Sequence, residues 1–221
     1  MANERILILA GGDWSRPDRV RDLVASADHV VAANGGCAKA RLHGIHVDEV
    51  IGDLDSIPEP ERRLLLEADT PVVHAFSRDK DWTDLELAID HALRRDPARI
   101  DLFGTHGSRL DHALTSLHLL EKGLSEGVPI VLHAEAESAR LVDRSETLDG
   151  ARVGDRVSLI PVSASAIVTT EGLRYPLRGE RLQRAASRGV SNEVTSCPVR
   201  IDVDDGLLLL IHAREGEADL A

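Results

Sequence analysis

Through about residue 135 the chain alternates short apolar runs with segments whose apolar positions recur at helical spacing. That alternation predicts βαβ units around a parallel sheet. The runs are "RILILA", "HVVAAN", "DEVIGD", "PVVHAF", "RIDLFG" and "PIVLHA". Between them Leu85, Ala88, Ile89, Ala92 and Leu93 share one helical stripe, as do Leu110, Ala113, Leu114, Leu117 and Leu120, each predicting a helix laid over a sheet face. Another helix is expected to begin near Pro58. After about residue 138 the helical period fades. "ARLVDRS", "RVSLIPVSA", "AIVTT", "VRIDV" and "GLLLLIH" read as strands divided by turn residues, which predicts an all-β second domain. The expected boundaries are 1–137 and 138–221. "VRIDVDDGLLLLIH" reads as a hairpin about Asp204, Asp205 and Gly206. Neither a low-complexity linker nor an internal repeat occurs.

Composition changes this picture in three places. Of 221 residues, 43% are hydrophobic but only five are aromatic (two Trp, one Tyr, two Phe), so aliphatic side chains must fill the core and an aromatic outside it stands out. A net charge of −12 argues against a nucleic-acid surface, which depends on Lys and Arg neutralising phosphates. Two cysteines, Cys37 and Cys197, are too few and too far apart for a disulfide framework or a CxxC zinc site, and both read as small buried hydrophobes. "ILILA" is too short for a signal peptide's apolar region, so a cytoplasmic protein is expected.

The candidate chemistry lies in acidic stretches at predicted strand ends. In "DEVIGDLDS" the strand period of two puts Asp53 and Asp55 on one side with Leu54 opposite. Carboxylates aimed at one point suit a hard cation such as Mg²⁺ holding substrate phosphates; the competing reading makes them turn formers or a helix cap. In "DKDWTDLE", Thr83 and Glu86 match a capping box, which needs neither Asp79 nor Asp81, while Asp84 is placed to supply a third carboxylate from the next loop. In "GTHGSRLDHAL", Gly104 and Gly107 permit close backbone approach, a helix N-terminus offers N–H groups to an anion and Arg109 adds a bidentate phosphate donor. The competing reading there is a capping box of Ser108 and Asp111. GxxxxGK[ST] and GxGxxG are both absent. None of the ten histidines shows a zinc spacing; His112 and His118 read as packing or solvated residues, His43 and His46 as surface.

In order, "NGGCAKARLHGIHVDEVIGDLDSI", "SRDKDWTDLELAI", "GSRLDHAL", "VSLIPVS", "VTTEGLRYPL" and "SNE" resemble the thiamine pyrophosphokinase family from about residue 31 to residue 196. The resemblance implies a Rossmann-like ATP-binding α/β domain followed by a β-sandwich that binds thiamine, in a homodimer with active sites at the interface. It implies Mg²⁺-dependent transfer of the β,γ-pyrophosphoryl group of ATP to the hydroxyethyl oxygen of thiamine, leaving AMP. Carried over, Asp53, Asp55 and Asp84 hold Mg²⁺, and Arg109 binds ATP phosphate. Asn34, Gly35, Gly36, Asp79, Thr83 and Asp111 line the nucleotide site, and Asp81 accepts the alcohol proton. Tyr175, the one tyrosine, stacks on thiamine, and Ser191 and Asn192 line its pyrimidine pocket. One departure concerns the metal: relatives usually read Asp-Gly-Gly where this chain has Asn34, Gly35, Gly36, one negative charge fewer. Three rival readings stand beside this one. A pyrophosphokinase for a hydroxymethylpterin would share the nucleotide half. "DLDSI" looks like the DxDx[TV] stretch of aspartyl-phosphate phosphatases, with Ile57 out of place. A nucleotide or thiamine sensor would bind without turnover.

Overall fold

The computed structural model describes residues 4–215 apart from 56 and 135. They form two compact units that divide at residues 135/136. The first contains β1 (Arg5–Leu9), α1 (Pro17–Ser26), β2 (His29–Ala33), α2 (Gly36–Leu42), β3 (Glu49–Gly52), α3 (Glu59–Glu67), β4 (Val72–Ala75), α4 (Asp84–Leu93), β5 (Arg99–Phe103), α5 (Leu110–Leu119), α6 (Glu121–Glu126) and β6 (Ile130–His133). Its strands pair in parallel in the order β6-β5-β1-β2-β3-β4. β1 lies at the centre and Ile6, Leu7, Ile8 and Leu9 are fully buried, as a strand covered on both faces requires. Trp14 closes one side of this core: its Nε1 donates to Ala10 O at 2.9 Å and Phe103 meets its ring edge-on.

Two features of this unit depart from the sequence pattern. Leu110 and Leu114, which share a predicted core stripe, are exposed by 72% and 51%, whereas Ser116 and Leu119 are buried. The Ser116 hydroxyl is satisfied within the helix by His112 O at 2.8 Å, so a small polar side chain can face inward at little cost. Cys37 is only half-buried, and in the second unit Cys197 is exposed with its thiol on Ala151 O. A cysteine's hydropathy says nothing of the depth of the segment that carries it, here the start of α2 for Cys37 and a loop for Cys197.

The second unit adds β7 (Glu137–Val142), β8 (Glu146–Thr147), β9 (Arg156–Pro161), β10 (Ser165–Glu171), β11 (Glu180–Gln183), β12 (Asn192–Glu193), β13 (Arg200–Asp205) and β14 (Leu208–Ala213). Two antiparallel layers, β12-β9-β14-β7 and β11-β10-β13-β8, enclose one core of Val142, Val157, Leu159, Ala166, Val168, Ile201, Leu208, Leu210 and neighbours, a β-sandwich. The expected hairpin at Gly206 is not one. The chain turns there, with Gly206 at φ +90°, but β13 pairs with β10 and β8 while β14 pairs with β7 and β9. The turn therefore carries the chain from one layer to the other. Among the described residues no helix is long and apolar enough to cross a membrane.

A polar network lies under the first sheet. Asp101, on β5, receives Arg5, Arg99 and His133 at 3.0, 2.6 and 2.6 Å. Burial works to raise the Asp101 carboxyl, but His133 and Arg99 outweigh it and hold it well below the usual carboxylate range. Burial pushes the His133 imidazole below its ordinary value, the Asp101 contact notwithstanding. Both shifts have the same consequence in acid. A depressed carboxylate stabilises the fold above its unfolded value and loses that contribution as pH falls; a histidine kept neutral in the fold protonates more readily when unfolded. The unfolding free energy is therefore expected to decline as pH drops below about 6.5, through His133, and further below about 4, through Asp101. Urea unfolding at stepped pH checks this: His133→Gln should flatten the first decline, and an unchanged slope would assign it to other groups.

Candidate active site

The strand order reverses at β1, with β2, β3 and β4 on one side and β5 and β6 on the other. Open α/β sheets take ligands in the crevice at the carboxyl ends of the strands at such a reversal. A cleft of about 610 Å³ opens there, lined by Ala10, Gly11 and Gly12 after β1, Asn34 and Gly35 after β2, Thr83 and Asp84 at the start of α4, and residues 104–109 after β5. Close backbone approach shapes its floor. A Cβ on Gly36 would stand 2.0 Å from Leu9 O, so only glycine lets α2 start against β1.

Asp53, Asp55 and Asp84 converge at one end of this cleft, on the side chain of Asn34. Its Nδ2 lies 2.9 Å from Asp53 Oδ1, 3.2 Å from Asp55 Oδ1 and 3.0 Å from Asp84 Oδ2. The pairing of Asp53 with Asp55 does not arise from a strand pleat, as expected from the pattern, because β3 ends at Gly52. Leu54 instead takes a left-handed φ of +59° and buries its side chain, and the Asp55 amide donates to Asp53 Oδ1 at 3.2 Å. Asp84 opens α4 after Thr83, whose hydroxyl caps the helix by accepting from the Glu86 amide. Gly52, at φ +149°, must lack a side chain: a Cβ would come within 3.0 Å of Asp84 Oδ1.

Lys80, which the sequence reading passes over, supplies the positive charge. Its Nζ is 2.8 Å from Asp53 Oδ2 and 3.2 Å from Asp84 Oδ1, with only 10% of its side chain exposed. Burial opposes both charges, yet the contacts outweigh it: Asp53 is held below its usual range and Lys80 above its own. A lysine written between aspartates, as in "RDKDW", reads as part of a solvated loop, and only the fold turns it inward.

The same atoms test whether a divalent cation fits. The Asn34 amide carries two protons and faces three carboxylates, so one contact cannot be a full hydrogen bond. Asp84 Oδ1 and Asn34 Oδ1 are buried and accept no aligned hydrogen bond, although Lys80 stands near the former. Hard oxygen donors at one point, with acceptor capacity unspent, suit Mg²⁺. The Asn34 departure has a physical reading here. A carboxylate at this position would add a fourth repelling charge, whereas the amide bridges the other three.

The remaining candidates lie around this centre or apart from it. Arg109 and Asp111 are exposed and bound to each other by two contacts, Nε to Oδ1 at 3.2 Å and NH2 to Oδ2 at 2.6 Å. Arg109 also occupies the N-cap position of α5 without a side-chain cap bond, so Ser108 and Asp111 form no capping box. Asp79 and Asp81 are exposed, and the bonds that gather the other three aspartates do not include them. Thr105 Oγ1 and His106 Nδ1 line the cleft, buried without hydrogen-bond partners, and were not singled out from the sequence.

In the second unit, Tyr175 is 56% exposed with the Arg174 guanidinium 5.9 Å from its ring centroid. Asn192 is buried and its amide clasps the Tyr175 backbone from both sides, accepting from N at 3.0 Å and donating to O at 2.8 Å. Ser191 adopts a left-handed φ of +56° and its amide donates to Ser158 Oγ.

Residues 20–132 match the family described as "Thiamin pyrophosphokinase, catalytic domain" and residues 142–208 that described as "Thiamin pyrophosphokinase, vitamin B1 binding domain". The thiamine pyrophosphokinase of Bacillus subtilis (strain 168) is 32% identical over 224 residues, covering 95% of this chain and 99% of its own. A crystal structure of the enzyme from Bacillus subtilis superposes with a TM-score of 0.84 at 28% identity, covering 96% of this chain and all of that one. One from Geobacillus thermodenitrificans gives 0.81 at 28% identity, covering 96% and 98%. The yeast enzyme, at 14% identity and a TM-score of 0.80 over 98% of this chain and 88% of its own, shares the fold. With both of its units matched in order and nearly its full length aligned, the chain belongs to the thiamine pyrophosphokinase family.

Proposed function

We propose that this protein transfers the β,γ-pyrophosphoryl group of ATP to the hydroxyethyl oxygen of thiamine, giving thiamine diphosphate and AMP. The observation that carries the reading is the convergence of Asp53, Asp55 and Asp84 beside the strand-end cleft, in a chain of this family. The alcohol oxygen attacks the β-phosphorus, the bond to the α-phosphate bridging oxygen breaks, and AMP leaves with that electron pair. Asp81 is assigned to take the alcohol proton. Asp53, Asp55 and Asp84 would hold Mg²⁺, which when bound supplies neutralisation of the triphosphate charge. Little covalent work then falls to the protein. Its residues align the two substrates and offset charge on the transferred group.

Each contact suggests how. Lys80 keeps the carboxylates in place and brings a cation near the phosphates. Arg109 grips phosphate only after parting from Asp111, so the pair acts as a competitor that a triphosphate must displace. Asn34, Gly35, Gly36, Asp79 and Thr83 complete the nucleotide side. On the thiamine side Asn192 positions Tyr175 through its backbone, leaving the ring face for a flat cation that would take the place of Arg174. Ser191 lies beside it. We further read the enzyme as a cytoplasmic homodimer whose active sites are completed at the subunit interface.

Incubation with thiamine, ATP and Mg²⁺, followed by identification of the nucleotide product, tests the reaction. AMP with thiamine diphosphate is the expected result. ADP would indicate an ordinary kinase, inorganic phosphate alone a hydrolase, and binding without turnover a sensor; each would overturn the reading.

A further inference from the structure

A second cluster of ligating side chains lies on the face of the first sheet covered by α4, away from the aspartates. Glu49 begins β3 and is 7% exposed. Strand register brings His29 of β2 and His74 of β4 to its two sides, and α4 lays His91 over it. The contacts divide by oxygen. Oε1 faces His29 Nε2 at 2.7 Å and Arg95 NH1 at 3.3 Å, while Oε2 faces His74 Nε2 at 2.6 Å and His91 Nε2 at 2.8 Å. The His74 and His91 rings are tilted against each other with centroids 4.6 Å apart, so both imidazoles present a nitrogen to the same oxygen. Ligand atoms of Glu49, His74 and His91 all lie within 4.8 Å of one another.

We propose that Glu49, His74 and His91 form a binding site for a first-row divalent transition metal, of which zinc is the leading case, distinct from the Mg²⁺ position at the aspartates. Two imidazoles and one carboxylate are a donor set such ions favour over Mg²⁺, which prefers oxygen. Ligand atoms around tetrahedral zinc stand about 3.3 Å apart, given bonds of about 2.0 to 2.1 Å. The two nitrogen–oxygen contacts, at 2.6 and 2.8 Å, need open by only about 0.5 to 0.7 Å to admit the ion. Each neutral imidazole would move its proton from Nε2 to Nδ1; at His91 that gives up a 3.5 Å contact with the exposed Arg94. His29 and Arg95, on the other carboxylate oxygen, would orient Glu49 without touching the metal. The site would pin α4 to β3 and β4. His91 lies seven residues, or about 10 Å of helix, beyond Asp84, so the ion would fasten the same helix that delivers the third aspartate.

The test uses Co²⁺ as a coloured probe on the intact protein after exhaustive chelation and without Mg²⁺. One equivalent should produce the visible absorption of four- or five-coordinate cobalt, and added Zn²⁺ should displace it. The band should persist in Asp55→Asn, vanish in His74→Gln and His91→Gln, and need about tenfold more metal in His29→Gln. Glutamine retains a donor for Glu49, and circular dichroism of the metal-free variants checks that they are folded. The proposal is overturned by wild-type protein that stays colourless, by a band lost with Asp55, or by a band that survives in folded His74→Gln and His91→Gln together.

Discussion

Asp55→Asn is expected to reduce kcat/KM by at least about a hundredfold, on the order of 3 kcal/mol, the scale of losing one preorganised charge at a reacting centre. The fold should be untouched. The Asp55 partners include the exposed Arg78 at 3.4 Å and the shared Asn34 amide, and removing one of three converging negative charges relieves repulsion. A thermal midpoint without metal that is equal or higher, alongside lost turnover, is the expected pair of results; near-normal activity at limiting Mg²⁺ would remove Asp55 from the cation site. The same variant tests the assembly. On the proposed reading of a homodimer with shared sites, mixing it under subunit exchange with Tyr175→Ala, a variant expected to be weak in thiamine use, should restore activity, because a mixed dimer would carry one site with both residues intact. Proven exchange with no gain above the two separate mutants would place the whole site within one chain.

Gly36→Ala is expected to cost the most stability, about 3 kcal/mol or more, a drop of roughly 6 to 12 °C in thermal midpoint. The added methyl would meet Leu9 O at 2.0 Å, Leu9 C at 2.7 Å and Ala10 Cα at 3.2 Å, all backbone. No side-chain rotation relieves such a clash, and β1 cannot retreat because it is paired on both sides. α2 must therefore lift, shifting the neighbouring Asn34 from the three carboxylates, so activity should fall well below the melting temperature. Gly44→Ala is the control. Its φ of +66° is strained for alanine but nothing lies within 4 Å of the new methyl, which predicts a loss of only about 1 kcal/mol. Equal losses in the two variants would show that α2 yields to the added methyl at no more than the cost of a strained backbone, and that close approach does not dictate Gly36.

The parallel sheet was readable because strands buried on both faces must be apolar throughout, as β1 is, and the helices between them announce themselves by period. What hydropathy cannot encode is the identity of a partner. Gly206 promised a turn and made one, but nothing local says that β13 and β14 enter different layers. Leu110 and Leu114 kept helical spacing and yet face outward. The aspartates were legible as a set because they end strands and open helices, positions where charge is costly without a purpose. Lys80 was not, since its neighbours in sequence are the charges that solvate a surface. Glu49, His29, His74 and His91 are separated by 17 to 25 residues and share no motif; strand register assembles the first three and the packing of α4 adds His91.

The place of β14 has a consequence for biosynthesis. It is the last strand of the described chain, yet it lies between β7 and β9 and pairs with both, Leu208 opposite Val142 and Pro161. Val142 emerges 66 residues earlier (208 less 142), so at about 5 to 20 residues per second the ribosome leaves β7 without this neighbour for roughly 3 to 13 seconds. Throughout that interval one edge of β7, joined by one edge of β9 once Pro161 has emerged, offers free N–H and C=O groups to any passing strand. Slow codons or a premature stop between residues 143 and 207 would lengthen or perpetuate the exposure. The quantity of enzyme a cell accumulates, rather than its turnover, is where such silent or truncating changes would be felt.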